Sequence, residues 1–332
     1  MKKINFVPTA VIGMILFLLC MTQTSATAQT KGSKKMFLSI ASGRSTTPWY
    51  AVGSKIGEVV SKYEPDIDLA SVTGANAGNP KDIENGRKDF AFAYTCTISD
   101  ALAGNPPYEK KYQNIRIISV LYPTYLQIFS HARSGIKSVR DLLGKKVAVG
   151  MPGTNTEVIA KRLLEGLDLT FEDLKKSGGE FLLLGYADAK QALADGQLDA
   201  GFWSSTIPVK DAVELQLQHD IRLLDLDPKL VEKVANKYND VFVETIPANV
   251  YKNQPKSVLS LATPGAIMVR KGLNEETVYK VTKAIWEHWQ EIAEVHATTR
   301  KEFKPENALK GFDKALLHPG ARKYYGEKGM LK

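Results

Sequence analysis

Two stretches of this chain echo one another. Glu84-Asn-Gly-Arg-Lys-Asp-Phe-Ala-Phe92 and Ala194-Asp-Gly-Gln-Leu-Asp-Ala-Gly-Phe202 share Gly86/Gly196, Asp89/Asp199 and Phe92/Phe202 at one offset. Each reads as the end of a helix, a turn and the start of a strand. Ahead of each the order is also the same: strand, glycine-rich turn, capped helix. A solenoid repeats every 20–50 residues or so, and this echo is far longer, so it implies two similar lobes. Short β-rich runs alternating with helical patterns make both lobes α/β, with mixed but mainly parallel sheets. In open α/β sheets ligands sit at the carboxyl ends of strands, so two facing lobes enclose an interlobe cleft lined by the turns.

In the first half, residues 37–41 read as a strand, and Thr47 caps a helix whose first residue is Pro48. Val52, Ile56, Val59, Val60 and Tyr63 form its core face, and Pro65 stops it. Residues 67–72, 90–94 and 115–121 are further strands. The turn Thr73-Gly-Ala-Asn-Ala-Gly-Asn-Pro80 leads to a short helix with proline at its first position. In the second half the expected strands are 147–150, 181–184, 198–203 and 221–224. Thr154-Asn-Thr-Glu157 has capping-box spacing before a helix with Val158, Leu163, Leu164 and Leu167 on one face. Residues 277–294 form one long amphipathic helix. The expected division is 1–28 signal peptide, 29–125 plus 250–332 one lobe, and 126–249 the other, with a hinge between them.

The first residues carry the compartment signal. Lys2 and Lys3 precede an apolar run at 7–21, and Ala26-Thr27-Ala28 has small-x-small spacing, so a signal peptide cleaved near Ala28 and a periplasmic mature protein are expected. The bulky residues before Cys20 argue against lipid attachment there. Cleavage removes two lysines from a net charge of +8, leaving +6 without clustering, which excludes a nucleic-acid stripe. Only Cys96 remains, so no intrachain disulfide forms and packing alone holds the fold. No second apolar run reaches the ~18 residues of a membrane helix.

Among chemistries, a phosphate cradle lacks support. Neither Ser42-Gly-Arg-Ser-Thr-Thr nor Gly150-Met-Pro-Gly-Thr-Asn-Thr contains Gly-Lys-Ser/Thr, and no Gly-x-Gly-x-x-Gly follows a strand. Acyl transfer lacks Gly-x-Ser-x-Gly, and Ser134-Gly-Ile-Lys137 has no companion motif. His131, His219, His288, His296 and His318 show no metal spacing, so neither a metal nor a cofactor is expected. Cys96 reads as a small buried hydrophobe. Trp286 and Trp289 read as packing. What the turns do offer is helix N-termini, which suit a carboxylate, sulfonate or phosphate. Trp49, Tyr50, Tyr94, Tyr122 and Trp203 flank strand ends or glycine turns, where aromatics either wall a ligand or pack the lobes together. Arg44 lies in a cleft-facing turn and either grips an acid group with two parallel hydrogen bonds or is solvated.

An ordered set of motifs then carries a family resemblance. Ala41-Ser-Gly43, Trp49-Tyr50-x-x-Gly53, Thr73-Gly-Ala-Asn76, Leu121-Tyr-Pro123, Ser134-Gly-Ile-Lys-Ser-x-x-Asp-Leu142, Gly144-Lys-Lys-Val147, Pro152-Gly-Thr-Asn-Thr-Glu157, Asp195-Gly-Gln-Leu-Asp-Ala200 and His318-Pro-Gly320 resemble TAXI-type solute receptors of TRAP transporters. The resemblance implies a type II periplasmic-binding-protein fold that closes on a small organic anion, of amino-acid or dicarboxylate type. It also implies delivery to a TRAP-type permease driven by an ion gradient. Ligand contacts carried over are Ser42, Gly43, Tyr50, Gly74, Ala75, Asn76, Tyr94, Thr95, Gly153, Thr154, Asn155, Thr156, Trp203, Ser204 and Ser205; Arg44, Trp49 and Tyr122 join them from the reading of the turns. Arg44-Ser-Thr-Thr-Pro48 lengthens a turn that is short in the family. A receptor for an ABC-type importer or a sensor is the alternative, and a periplasmic enzyme the more distant one. A monomer is expected.

Overall fold

The computed structural model describes residues 35–45, 47–238 and 240–331. The signal peptide, its cleavage near Ala28 and Cys20 lie outside the described residues. Among the described residues ten strands form one sheet: β1 (Met36–Ala41), β2 (Ile67–Val72), β3 (Phe90–Tyr94), β4 (Ile115–His131), β5 (Lys146–Ala148), β6 (Glu180–Leu182), β7 (Ala200–Ser205), β8 (Ile221–Leu223), β9 (Phe242–Ile246) and β10 (Val258–Arg270). Their spatial order is β2-β1-β3-β10-β4-β7-β5-β6, with β8 against β4 and β9 against β10. Every pairing that avoids β4 and β10 is parallel, and every pairing that includes one of them is antiparallel. The mixed α/β class expected from the sequence is the one observed, though antiparallel pairings outnumber parallel ones, five to four, among the described strands.

Twelve α-helices among the described residues cover the sheet: α1 (Pro48–Tyr63), α2 (Asn79–Glu84), α3 (Thr95–Ala103), α4 (Asn155–Glu165), α5 (Phe171–Lys176), α6 (Tyr186–Ala194), α7 (Lys210–Leu215), α8 (Pro228–Lys237), α9 (Glu275–Glu287), α10 (Trp289–Ala293), α11 (Ala297–Glu302) and α12 (Pro319–Glu327). Around β1 and β3 the apolar faces of α1, α9 and α12 bury Val52, Ile56, Val60, Val281 and Tyr325 against Ile40 and Phe92. Around β5 and β7 a separate cluster gathers Ile159, Leu163 and Val231 against Val147 and Phe202.

The echo is structural. Gly86 and Gly196 both take left-handed backbone, φ 68° and 71°, where a side chain would be strained. Asp89 then accepts the backbone N–H of Ser39 on β1 at 2.9 Å, and Asp199 accepts that of Lys146 on β5 at 2.8 Å. Each aspartate pins the start of one parallel strand to its neighbour, so β1-β3-β10 and β5-β7-β4 are equivalent units.

Several expectations change. Tyr63, expected on the core face of α1, is exposed and donates its hydroxyl to Glu291 at 2.6 Å. The strand expected at 115–121 continues through Tyr122-Pro123 to His131 and buries nearly every residue, because both of its faces are covered. Proline cannot donate to a ladder, but Pro123 lies opposite Pro264 of β10, and a register shift follows between Pro264 and Ala266. The short helix after Thr73 begins at Asn79, with Pro80 second. Thr154 Oγ1 accepts the Glu157 N–H as expected, but the Glu157 carboxylate takes the N–H of Gly153 at 2.6 Å, so only half of the capping box forms; Ile159 and not Val158 is in the core. The expected helix at 277–294 breaks at His288, whose ring stacks on Tyr63 at 3.3 Å between centroids.

Candidate functional site

A cavity of about 670 Å³ lies where the carboxyl ends of β1, β2, β3, β5, β6 and β7 point toward one another. Its walls are the turns that leave those strands, which is where an α/β sheet exposes ligand-binding backbone. Asn79, fully buried, holds one side of it in shape. Its Nδ2 donates to the carbonyls of Ala41, Ser42 and Phe92, and its Oδ1 accepts the Ala75 N–H. Gly74 must lack a side chain here, because a Cβ would sit 2.5 Å from Asn79 Oδ1.

Four helices of nine residues or more begin at this cavity: α1, α3, α4 and α6. Thr47 caps α1 and Thr154 caps α4 through their hydroxyls, while α3 and α6 have no side-chain cap. Each N-terminus carries unpaired N–H groups and a partial positive charge. Arg44 adds a full charge; it is exposed at the rim, and the Thr47 hydroxyl accepts nothing from it but donates to its carbonyl at 2.7 Å. No Asp, Glu or Lys lines the cavity among the described residues.

The polar lining is tied together. Asn76 Nδ2 donates to Thr97 Oγ1 at 2.9 Å and to the Gly153 carbonyl at 3.2 Å, and its Oδ1 accepts the Tyr94 N–H. Asn155 Nδ2 donates to Thr124 Oγ1 and Ser204 Oγ at 3.0 and 2.6 Å, and its Oδ1 accepts from Cys96 Sγ at 3.0 Å. The Tyr186 hydroxyl donates to the Ser204 carbonyl at 2.7 Å and lies 2.9 Å from Thr156 Oγ1. Burial pushes the Cys96 thiol up to about 12, against the opposing pull of Arg162. Burial likewise raises the phenols of Tyr94, Tyr122 and Tyr186, so these rings are neutral donors and acceptors.

Beneath the polar lining, buried Arg162 of α4 pairs with Asp240 and reaches Asp100 of α3 at 3.3 Å and the Cys96 carbonyl at 3.4 Å. Burial works against its charge, and the surrounding Cys96, Asp240 and Asp100 more than offset that, so its basicity rises. The aromatic wall is Trp49, tilted on Tyr94 at 4.7 Å and edge-on to Phe92 at 5.8 Å. Gly265 of β10 makes room for it, since a Cβ there would lie 2.9 Å from the indole.

Of the residues named from the sequence, Ser42, Gly43, Arg44, Trp49, Gly74, Ala75, Asn76, Tyr94, Tyr122, Gly153, Thr154, Asn155, Thr156, Ser204 and Ser205 line this one cavity. Tyr50, Thr95 and Trp203 do not. Tyr50 follows Trp49 on a helix that turns about 100° per residue, which carries it off the wall. Thr95 Oγ1 is occupied inside the fold, donating to the carbonyls of Asp240 and Pro264. Trp203 is fully buried between Phe129 and Tyr186 in the space left by Gly201. Thr124, Tyr186 and His296 line the cavity without having been singled out for it. Gly185-Tyr186 repeats the strand, glycine and helix order of the other turns and was legible; Thr124 lies mid-strand, and His296 arrives from a distant loop.

Comparison with known proteins agrees with this architecture. XAC2383 from Xanthomonas citri bound to ATP is similar in fold at 13% identity and TM-score 0.52, over 89% of this chain and 95% of that one. The same protein bound to chloride ion matches at 14% and 0.51, over 89% and 96%. A putative sulfonate ABC transporter's periplasmic sulfonate-binding protein SsuA from Methylobacillus flagellatus KT matches at 16% and 0.48, over 88% and 78%. The sequence profile of the NMT1-like family covers residues 40–329, and the chain belongs to that family.

Proposed function

We propose that the protein is an extracytoplasmic solute receptor, which captures a small organic anion and hands it to a membrane transporter. The observation that carries this reading is the convergence of four helix N-termini and Arg44 on a cavity whose described lining holds no acid. Its size falls within the roughly 300–1,000 Å³ usual for small-molecule sites. The lining hydroxyls support binding without turnover: Ser42 Oγ faces Ser71 Oγ, and Ser204 Oγ faces Asn155 and Thr124, so neither is set against a base.

Lobes of residues 29–125 with 250–332 and of 126–249 are part of the same proposal. β4 and β10 join them, and the facing prolines Pro123 and Pro264 are where the hinge would bend. Export after cleavage near Ala28 and a monomeric state complete the reading. No helix among the described residues is long and apolar enough to cross a membrane.

Two transporters fit. The TRAP-type permease rests on the motif resemblance to TAXI receptors alone. A receptor for an ABC-type importer or a sensor is the second reading, and the name of the Methylobacillus relative accords with it. Receptor-dependent uptake into membrane vesicles of the source cell, driven by an ion gradient or by ATP, separates the two.

A thermal-shift screen of carboxylates, sulfonates and amino acids tests the core claim. Saturation to ~100 times Kd adds about 2.7 kcal/mol, which at this size raises Tm by several degrees or so. Shifts with neutral sugars or metal ions, and none with organic anions, would overturn it.

A further inference from the structure

We infer that the solute is an acid with an apolar or aromatic body and no ammonium group, which sets free amino acids outside the preferred class. This rests on the receptor reading above. The acid group has obvious partners in the N-termini of α1, α4 and α6 and in Arg44 at the rim. His296 adds a ring donor: its Nδ1 accepts the Thr298 N–H at 3.1 Å, which leaves the proton on Nε2.

An ammonium group has no such partner on the wall itself. A buried cation needs a carboxylate or an equivalent set of acceptors, and no acid lines the cavity among the described residues. Two carboxylates lie just behind the wall, in the first turns of α4 and α6: Glu157 is held by the Gly153 N–H at 2.6 Å, and Asp188 is exposed to water behind Gly185. The helix ends that favour an anion also repel a cation placed beside it. The remaining wall is Trp49, Tyr94, Tyr122, Met151 and Leu184, which suits an apolar body.

The test is calorimetric titration of the purified protein with matched pairs that differ only at the α-substituent: phenylalanine and 3-phenyllactate, leucine and 2-hydroxy-4-methylpentanoate, glutamate and 2-hydroxyglutarate. Ethanesulfonate and taurine form a sulfonate pair. The expected result is that the member without the ammonium binds at least tenfold more tightly in every pair that binds at all. An amino acid or taurine that binds within tenfold of its counterpart overturns this inference and leaves the receptor reading standing. If no member of any pair binds, the organic-anion reading itself falls, and this inference with it.

Discussion

The side chain of Asn76 donates across the cavity to the carbonyl oxygen of Gly153, at 3.2 Å. Gly153 presents that oxygen from left-handed backbone, φ 73°, with Ala77 packed close against it. Asn76 also accepts the Tyr94 N–H, so one amide joins turns from both halves of the chain. Asn76→Ala should weaken the ligand found by screening about tenfold and cost ~1 kcal/mol of stability, the usual net contribution of partly buried hydrogen bonds. Titration and calorimetric unfolding measure the two; an unchanged affinity would remove Asn76 from the binding apparatus.

Arg44 is the cavity's one full positive charge among the described residues. Arg44→Ala should weaken an anionic ligand at least tenfold, and Arg44→Lys should recover part of the loss, since lysine keeps the charge without the planar fork. Equal affinities for all three proteins would assign Arg44 to solvent.

Arg162 neutralises two carboxylates, buried Asp240 and half-buried Asp100. Arg162→Met should cost ~3–5 kcal/mol, because it strands both charges, and lower Tm by on the order of ten degrees. Burial raises the Asp100 carboxyl above its ordinary value, with Arg162 opposing. A raised carboxyl favours the folded state while it is protonated and loses that contribution as pH rises through its folded pKa. The deficit of the variant should therefore shrink on acidification. A deficit that stays constant from neutral pH down to the acid limit of folding would show that these charges do not matter.

Cys96 should be silent toward thiol reagents at pH 8 in the folded protein and reactive once it unfolds, since burial lifts its thiol from 9.0 to about 12. The folded state keeps the proton in that window while the unfolded chain releases it, so stability present below pH 9 is lost as pH rises toward 12. Cys96→Ala should flatten this alkaline decline, as read from denaturation midpoints at pH 8 to 11 or so. A decline of the same slope in the variant would place its origin elsewhere.

The repeated Gly-x-x-Asp turn, the threonine caps of α1 and α4 and most of the cavity lining were legible in the sequence, because each depends on groups a few residues apart. Turn chemistry, capping and helical periodicity are local, and they specified two equivalent α/β units with glycine and hydroxyl turns at their strand ends. The tertiary structure alone decided how those units join. β4 and β10 are buried on both faces and contain Pro123 and Pro264, so they show neither the alternation nor the uninterrupted run by which a strand is recognised. Only the pairing of these distant segments brings Asn155 against Cys96, places Arg162 between Asp100 and Asp240, and carries His296 to the wall. It also separated neighbours that look alike in sequence: Trp49 faces the cavity and Tyr50 turns away, while Ser204 lines it and Trp203 is sealed in the core. Which side of an element meets the cavity depends on what packs against its other side, and that is a property of contacts between residues far apart in the chain.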